Sequence, residues 1–214
     1  MAIKIKLSNK RNISFNFESE SKTDYLSIDM SAIVEDSTVK EVLLHKDAIE
    51  AITTWVNESL ENKIVPEVAG FLLGASDLIK EDASNRLYKI FIRYFSPSTK
   101  VDFSSPNKIV FGSDALLELD DFQQKHLDLK LVGWFHTHPG HSPFLSTTDA
   151  MIHEGFFNKQ DEIAIVLDSK TSEFDTGFFT RKHSGEVNNQ RDLIDYIYWK
   201  DIQGWVDKTF KDID

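Results

Sequence analysis

The stretch GWFHTHPGHSPFLSTTDAM, residues Gly133–Met151, places two histidines either side of a single threonine and adds an aspartate eleven positions after the second histidine. His136 and His138 lie at the end of LKLVGWFHTH, whose apolar residues predict a strand. Residues two apart in a strand project from the same face, so the two imidazoles should lie side by side. On its own a His-x-His pair is a weak signal, because paired strand histidines are often surface residues.

The second half of this stretch predicts a third ligand. Pro and Gly end the strand, and STTD then begins a helix that carries Asp149 in its first turn. Two imidazoles and one carboxylate are the ligand set of a catalytic zinc, which keeps one position open for water. The same four residues also resemble a capping box, with Ser146 as the N-cap and an acid three residues later, and both interpretations can hold together.

Strand and helix patterns alternate on both sides of this stretch. EVLLH predicts a strand, and Ile49, Ile52 and Val56 recur at helical spacing after it. The composition of SPSTKVDFSSPN, Ser96–Asn107, predicts a loop. Further strands are predicted in VPEVAGFLLG, RLYKIFIRYF, EIAIVLD and FDTGFFTR, and further helices in GSDALLELDDFQQKH and in residues 190–211. This mixed order favours an α/β (α+β) fold with a mixed β-sheet flanked by helices.

The chain length of 214 residues fits one main domain with some decoration. Residues 1–36 contain the short alternating segments IKIKL and ISFNF, which predict an amino-terminal β extension. We expect this extension to pack on the core; a role in binding a partner is the alternative. The main domain is then predicted to span residues 37–214, with the carboxy-terminal helix at its end.

Composition excludes several classes of function. A net charge of -11 disfavours a nucleic-acid partner, because contacts to phosphates need a basic surface. The chain contains no cysteine, which excludes a thiol nucleophile and leaves His, Asp and Glu as metal ligands. Neither a signal peptide nor an apolar run of the ~20 residues that span a membrane is evident, so we expect no membrane partner and a cytoplasmic protein.

The residues H-T-H-P followed by S-T-T-D resemble the JAMM motif, H-x-H-x7-S-x2-D, of the MPN+ (JAB) zinc metalloproteases. The resemblance covers roughly residues 40–182 and implies an MPN/JAB-like sheet. It implies that His136, His138 and Asp149 bind one zinc ion per chain and that Ser146 supports the tetrahedral intermediate. The family's catalytic glutamate stands before a glycine-containing apolar run, where PEVAGFLLG supplies Glu67. Without the motif, Glu67 would be read as a solvated carboxylate at a strand edge.

The resemblance implies a zinc-dependent isopeptidase or peptidase that removes or processes ubiquitin or a ubiquitin-like protein at its C-terminus. Its expected partner is a ubiquitin-like protein or a conjugate of one, and the resemblance leaves room for an activating protein partner. Processing of a sulfur-carrier protein is an alternative within the same chemistry. The alternative from another class is a non-catalytic MPN scaffold or protein-binding module, although such members usually lose one or more of the ligands that this chain keeps.

Overall fold

The computed structural model describes residues 24–62, 67–82, 85–99, 101–105 and 108–211. The predicted strands IKIKL and ISFNF lie outside the described residues. Within them the strands are β1 (Tyr25–Asp29), β2 (Val39–His45), β3 (Ala69–Glu81), β4 (Arg86–Pro97), β5 (Val101–Ser105), β6 (Lys108–Phe111), β7 (Lys130–Thr137), β8 (Ile163–Leu167), β9 (Asp175–Phe179) and β10 (Ile197–Tyr198). The helices are α1 (Lys46–Asn62), α2 (Ser113–Lys125), α3 (Thr147–Phe156) and α4 (Trp199–Val206).

Eight of the described strands form one mixed sheet in the order β1-β2-β4-β3-β7-β8-β9-β10. The pairs β2–β4 and β7–β8 are parallel, and the other pairs of this sheet are antiparallel. The sheet therefore places β7, the strand of the two histidines, between β3 and β8. Because helices flank this mixed sheet, the predicted α/β architecture is confirmed. None of the described helices is long and apolar enough to span a membrane.

Side chains that alternate along the sheet form two hydrophobic cores, one on each face. In β8, for example, Ile163, Ile165 and Leu167 join the core that also contains residues of α1 and α4. Ala164 and Val166 point to the opposite face and join the core formed with α2 and α3. This second face is the one on which β7 and α3 bring the histidines and the aspartate together.

The prediction of a loop at Ser96–Asn107 is wrong for part of that range. β4 continues to Pro97, and β5 pairs with β6 as a separate antiparallel ribbon. Val101 and Phe103 alternate with polar residues, and this period-two pattern is typical of a strand even where the surrounding composition resembles a loop. The ribbon leads directly into α2.

The prediction of one helix over residues 190–211 is also wrong in its extent, because α4 begins only at Trp199. The Asn189 side chain caps a single 3-10 turn. The chain then leaves the helical path, because Leu193 forms a bridge with Val34 and β10 pairs with β9. Contacts with distant strands therefore outweigh the local helical spacing at the start of this segment.

The amino-terminal region that the structure describes belongs to the main sheet. β1 pairs with β2 along its whole length, from Tyr25 opposite His45 to Asp29 opposite Glu41. Ile28 is buried in the core next to α1. The proposed boundary between residues 36 and 37 stays a prediction.

Candidate metal centre

β7 brings the two histidines to one face of the sheet. His136 and His138 are both buried, and their Nε2 atoms lie 3.2 Å apart. Both neighbouring strands fix this end of β7: Ala69 of β3 pairs with His136, and Val166 of β8 pairs with it from the other side. The alternation predicted from the sequence thus places two imidazole nitrogens together.

The start of α3 delivers the carboxylate. Ser146 is the N-cap residue, and its Oγ accepts a hydrogen bond from the Asp149 N–H at 3.2 Å. Asp149 Oδ2 accepts in return from the Ser146 N–H at 2.7 Å, which completes a capping box. The same Oδ2 lies 3.5 Å from His136 Nε2 and 3.3 Å from His138 Nε2. The STTD segment therefore caps the helix and also directs its aspartate at the histidines.

The spacing of these three ligand atoms fits a tetrahedral zinc ion. Zinc binds nitrogen and oxygen at about 2.0 to 2.2 Å, so two ligands of a tetrahedral site lie about 3.3 Å apart. The separations between the His136, His138 and Asp149 ligand atoms are 3.2, 3.5 and 3.3 Å. Within the part of the chain that the structure describes, this is the group of His, Asp and Glu side chains that could hold a metal. Three protein ligands leave one position open, as in catalytic sites.

Glu67 reaches the same site through the register of β3 and β7. It stands two residues before Ala69, which pairs with His136, so continued antiparallel pairing puts Glu67 beside His138. Hydrogen bonds of Val68 continue this pairing beyond the strand end: its carbonyl accepts from the Thr137 N–H at 2.9 Å, and its N–H donates to the Thr137 hydroxyl at 3.0 Å.

Glu67 is only 1% exposed, which excludes the alternative of a solvated carboxylate. Burial, together with the negative charge of Asp149, raises the pKa of Glu67 to about 8. A carboxyl group with a pKa near neutrality is typical of groups that exchange protons during catalysis.

Two of the candidate ligands, His136 and Asp149, have pKa values suited to metal binding. Burial lowers the pKa of His136, so its ring is neutral near pH 7. Burial alone would raise the pKa of Asp149, but hydrogen bonds with His136, His138 and Ser146 hold it well below its ordinary value. A neutral imidazole and an ionised carboxylate are the protonation states in which these groups bind a metal.

Aromatic rings orient the two imidazoles. Trp134 stacks on His136 with ring centroids 4.3 Å apart and an interplanar angle of 10°, and Phe144 packs on His138 at 4.5 Å. Among the described residues, no hydrogen-bond partner reaches Nδ1 of His136 or of His138. Packing therefore fixes the orientation of these rings. In many metal sites a hydrogen bond to the second ring nitrogen does this instead.

His153, which the sequence analysis did not include in the site, supports this arrangement from α3. The Trp134 indole N–H donates to His153 Nδ1 at 3.2 Å. Burial, followed by the positive charge of Arg181, lowers the pKa of His153 to about 3. The ring is therefore neutral, as an acceptor at Nδ1 requires.

Asp168 is the main residue near the site that sequence reasoning missed. It follows β8 directly, is buried, and accepts backbone N–H groups of the segment that links His138 to Ser146. The signal was present in EIAIVLD: when two strands are parallel neighbours, a polar residue after one strand lies at the same sheet edge as the end of the other.

Comparisons with known proteins identify the family. No curated protein sequence matches this chain. Among solved structures, the solution structure of protein DSY2949 from Desulfitobacterium hafniense is similar, with a TM-score of 0.48 and 17% sequence identity over 71% of this chain and 89% of that one. A sequence model of the JAB1/Mov34/MPN/PAD-1 ubiquitin protease family matches residues 37–162, and the chain therefore belongs to this family.

Proposed function

We propose that this protein is a zinc-dependent peptidase or isopeptidase that cuts at the C-terminus of ubiquitin or a ubiquitin-like protein. One observation carries the proposal: the ligand atoms of His136, His138 and Asp149 converge, and Glu67 is buried beside them. Membership of the family supports this class of substrate. The same chemistry extends to the processing of a sulfur-carrier protein.

Glu67 is the proposed proton carrier. Zinc, when bound by the two histidines and Asp149, supplies Lewis-acid activation of water and of the scissile carbonyl. Glu67 takes a proton from the attacking water and passes it to the departing amine. In the metal-free chain burial raises the pKa of this carboxyl group, so it holds a proton more tightly than a solvated carboxylate does.

Ser146 is the proposed donor to the developing oxyanion. Its Oγ already accepts from the Asp149 N–H, so the hydroxyl proton remains available for another acceptor. A preorganised donor aimed at the charge that develops in the transition state is worth about 10²- to 10³-fold in rate. The capping box holds Ser146 next to Asp149 at the start of α3, which supports this role.

Family membership supports either a peptidase or a protein-binding module, and Glu67 favours the peptidase. A buried carboxyl group beside a second carboxylate is costly, because burial and like charge both oppose its ionisation. A surface that only binds proteins has no use for a buried carboxyl group of this kind. In a hydrolase the same group serves as the general base.

The experiment compares zinc-loaded wild type with Glu67→Gln on linear fusions and lysine-linked conjugates of ubiquitin and ubiquitin-like proteins. Glutamine keeps the shape but cannot carry the proton, so turnover should fall about 10²- to 10⁴-fold while the zinc content stays the same. Glu162→Gln is the matched control, because Glu162 is equally buried but lies before β8. Full activity of Glu67→Gln would refute the mechanism, and wild type that cleaves none of these substrates would favour the binding module.

A further inference from the structure

The buried carboxylate of Asp168 accepts hydrogen bonds from three backbone N–H groups. Its Oδ1 accepts from Gly140 at 2.7 Å and from Lys170 at 2.9 Å, and its Oδ2 accepts from Ser142 at 2.9 Å. The residue is 2% exposed. Hydrogen bonds to an ionised carboxylate are stronger than those between neutral groups. Gly140 and Ser142 both belong to residues 139–145, here called the ligand loop, which joins the histidine pair to the cap of α3.

The fold places Asp168 at the edge of the sheet where the ligand loop begins. β8 runs parallel to β7, and the His138 N–H donates to the carbonyl of Leu167 at 2.8 Å. Asp168 is the next residue, and its own N–H donates to the Asp175 carbonyl at 2.8 Å, which ties it to β9. The carboxylate is thus carried by a residue that directly follows β8 and is hydrogen-bonded to β9.

The ligand loop adopts a backbone conformation that needs such support. Gly140 and Ser142 have positive φ angles of 83° and 61°. For serine this left-handed conformation is uncommon, and it persists where surrounding contacts hold it. Within the ligand loop, the two residues with positive φ are the two whose N–H groups donate to Asp168. Two residues further on, Phe144 packs against His138.

We propose that Asp168 is a positioning residue: it holds the ligand loop so that α3 presents Asp149 to His136 and His138. The Asp168 carboxylate accepts from the backbone N–H groups of Gly140 and Ser142, and it acts on the candidate ligands through that backbone. The part of the proposal that concerns zinc affinity rests on the proposed function. The hold on the loop is a property of the metal-free chain.

A carboxylate suits this task because both of its oxygens accept. Asn in its place keeps the shape, but its amide has one acceptor oxygen, so its NH₂ group faces either the Ser142 N–H or those of Gly140 and Lys170. Ala removes all three acceptor contacts. The expected order of disturbance is therefore Asp168→Ala above Asp168→Asn.

Glu162→Gln provides the matched control. Glu162 is also 2% exposed, and it accepts the Lys159 N–H at 2.9 Å and the Lys159 ammonium group at 3.0 Å. It stands before β8 whereas Asp168 stands after it, so the strand separates the two carboxylates by roughly 20 Å. If any loss of hydrogen bonds to a buried carboxylate produced the effect, Glu162→Gln would show it as well as the Asp168 variants.

Amide hydrogen exchange of Gly140 and Ser142 in the metal-free protein is the first measurement. We expect exchange about tenfold faster or more in Asp168→Ala, a smaller increase in Asp168→Asn, and no change in Glu162→Gln. Zinc affinity, measured by competition with a chromophoric chelator, is the second. Loss of a residue that orients metal ligands typically costs 10- to 100-fold in affinity, so we expect a loss of about that size in Asp168→Ala and less than twofold in the control.

Unchanged exchange of both amides in a folded Asp168 variant would overturn the proposal that Asp168 holds the ligand loop. If Asp168→Ala does not fold, the exchange rates of Asp168→Asn decide this point. Faster exchange with zinc affinity within twofold of wild type would overturn the positioning role. Wild type that binds no zinc would refute the proposed function instead, and the exchange rates would still decide whether Asp168 holds the loop.

Discussion

Glu67→Gln should change how the stability of the metal-free protein depends on pH. Burial, together with the charge of Asp149, raises the pKa of Glu67 from 4.5 to about 8. The folded chain therefore holds a proton that the unfolded chain releases, so this group favours folding at low pH and costs stability as pH rises from 4.5 to 8. Glutamine has no such proton. Linkage between pH 5 and 8 allows at most about 4 kcal/mol, and we expect about 2 kcal/mol because the site relaxes around the charge.

Denaturant unfolding at several pH values, with a chelator present, measures this effect. The free energy of unfolding of Glu67→Gln minus that of wild type should rise by about 2 kcal/mol from pH 5 to pH 8. Glu154→Gln removes one exposed carboxylate and is the control for the change in net charge. A difference between Glu67→Gln and wild type that does not vary with pH would refute the reasoning about the buried carboxyl group.

The remaining predictions concern the cap, the stacked ring and the metal. Ser146→Ala should lower the free energy of unfolding by about 1 kcal/mol and turnover by about 10²-fold, whereas Ser146→Thr, which keeps the hydroxyl, should retain most of both. Trp134→Phe leaves the buried His153 Nδ1 without its donor and should cost about 1 to 3 kcal/mol in denaturant unfolding, while the ring that stacks on His136 remains. Zinc at a hundred times its Kd should stabilise wild type by about 2.7 kcal/mol, a gain that a chelator reverses in thermal melts.

The local part of the site could be predicted from the sequence because local rules govern it. Strand alternation puts His136 and His138 on one face, and the cap chemistry of Ser146 fixes the direction of Asp149. Both rules act over a few residues. The structure brings these side chains together as the spacing predicts.

Contacts between distant segments could not be derived from spacing alone. Glu67 reaches the site through the register that pairs Ala69 with His136, and the sequence indicates it only by resemblance to a family motif. Asp168 depends on the parallel pairing of β7 and β8. The helical spacing after residue 190 is overridden where Leu193 bridges to Val34. In each case the position of the residue depends on pairing between segments that are distant in the chain, and a single sequence does not specify that pairing.

The zinc content of the purified protein tests the central claim most directly. Elemental analysis of wild type, after removal of loosely bound metal, should find one zinc ion per chain, because His136, His138 and Asp149 form a complete ligand set and the chain has no cysteine to compete. The double substitution His136→Ala, His138→Ala, checked for folding by circular dichroism, should contain none. One zinc ion per chain that survives the double substitution would place the metal elsewhere and contradict the account.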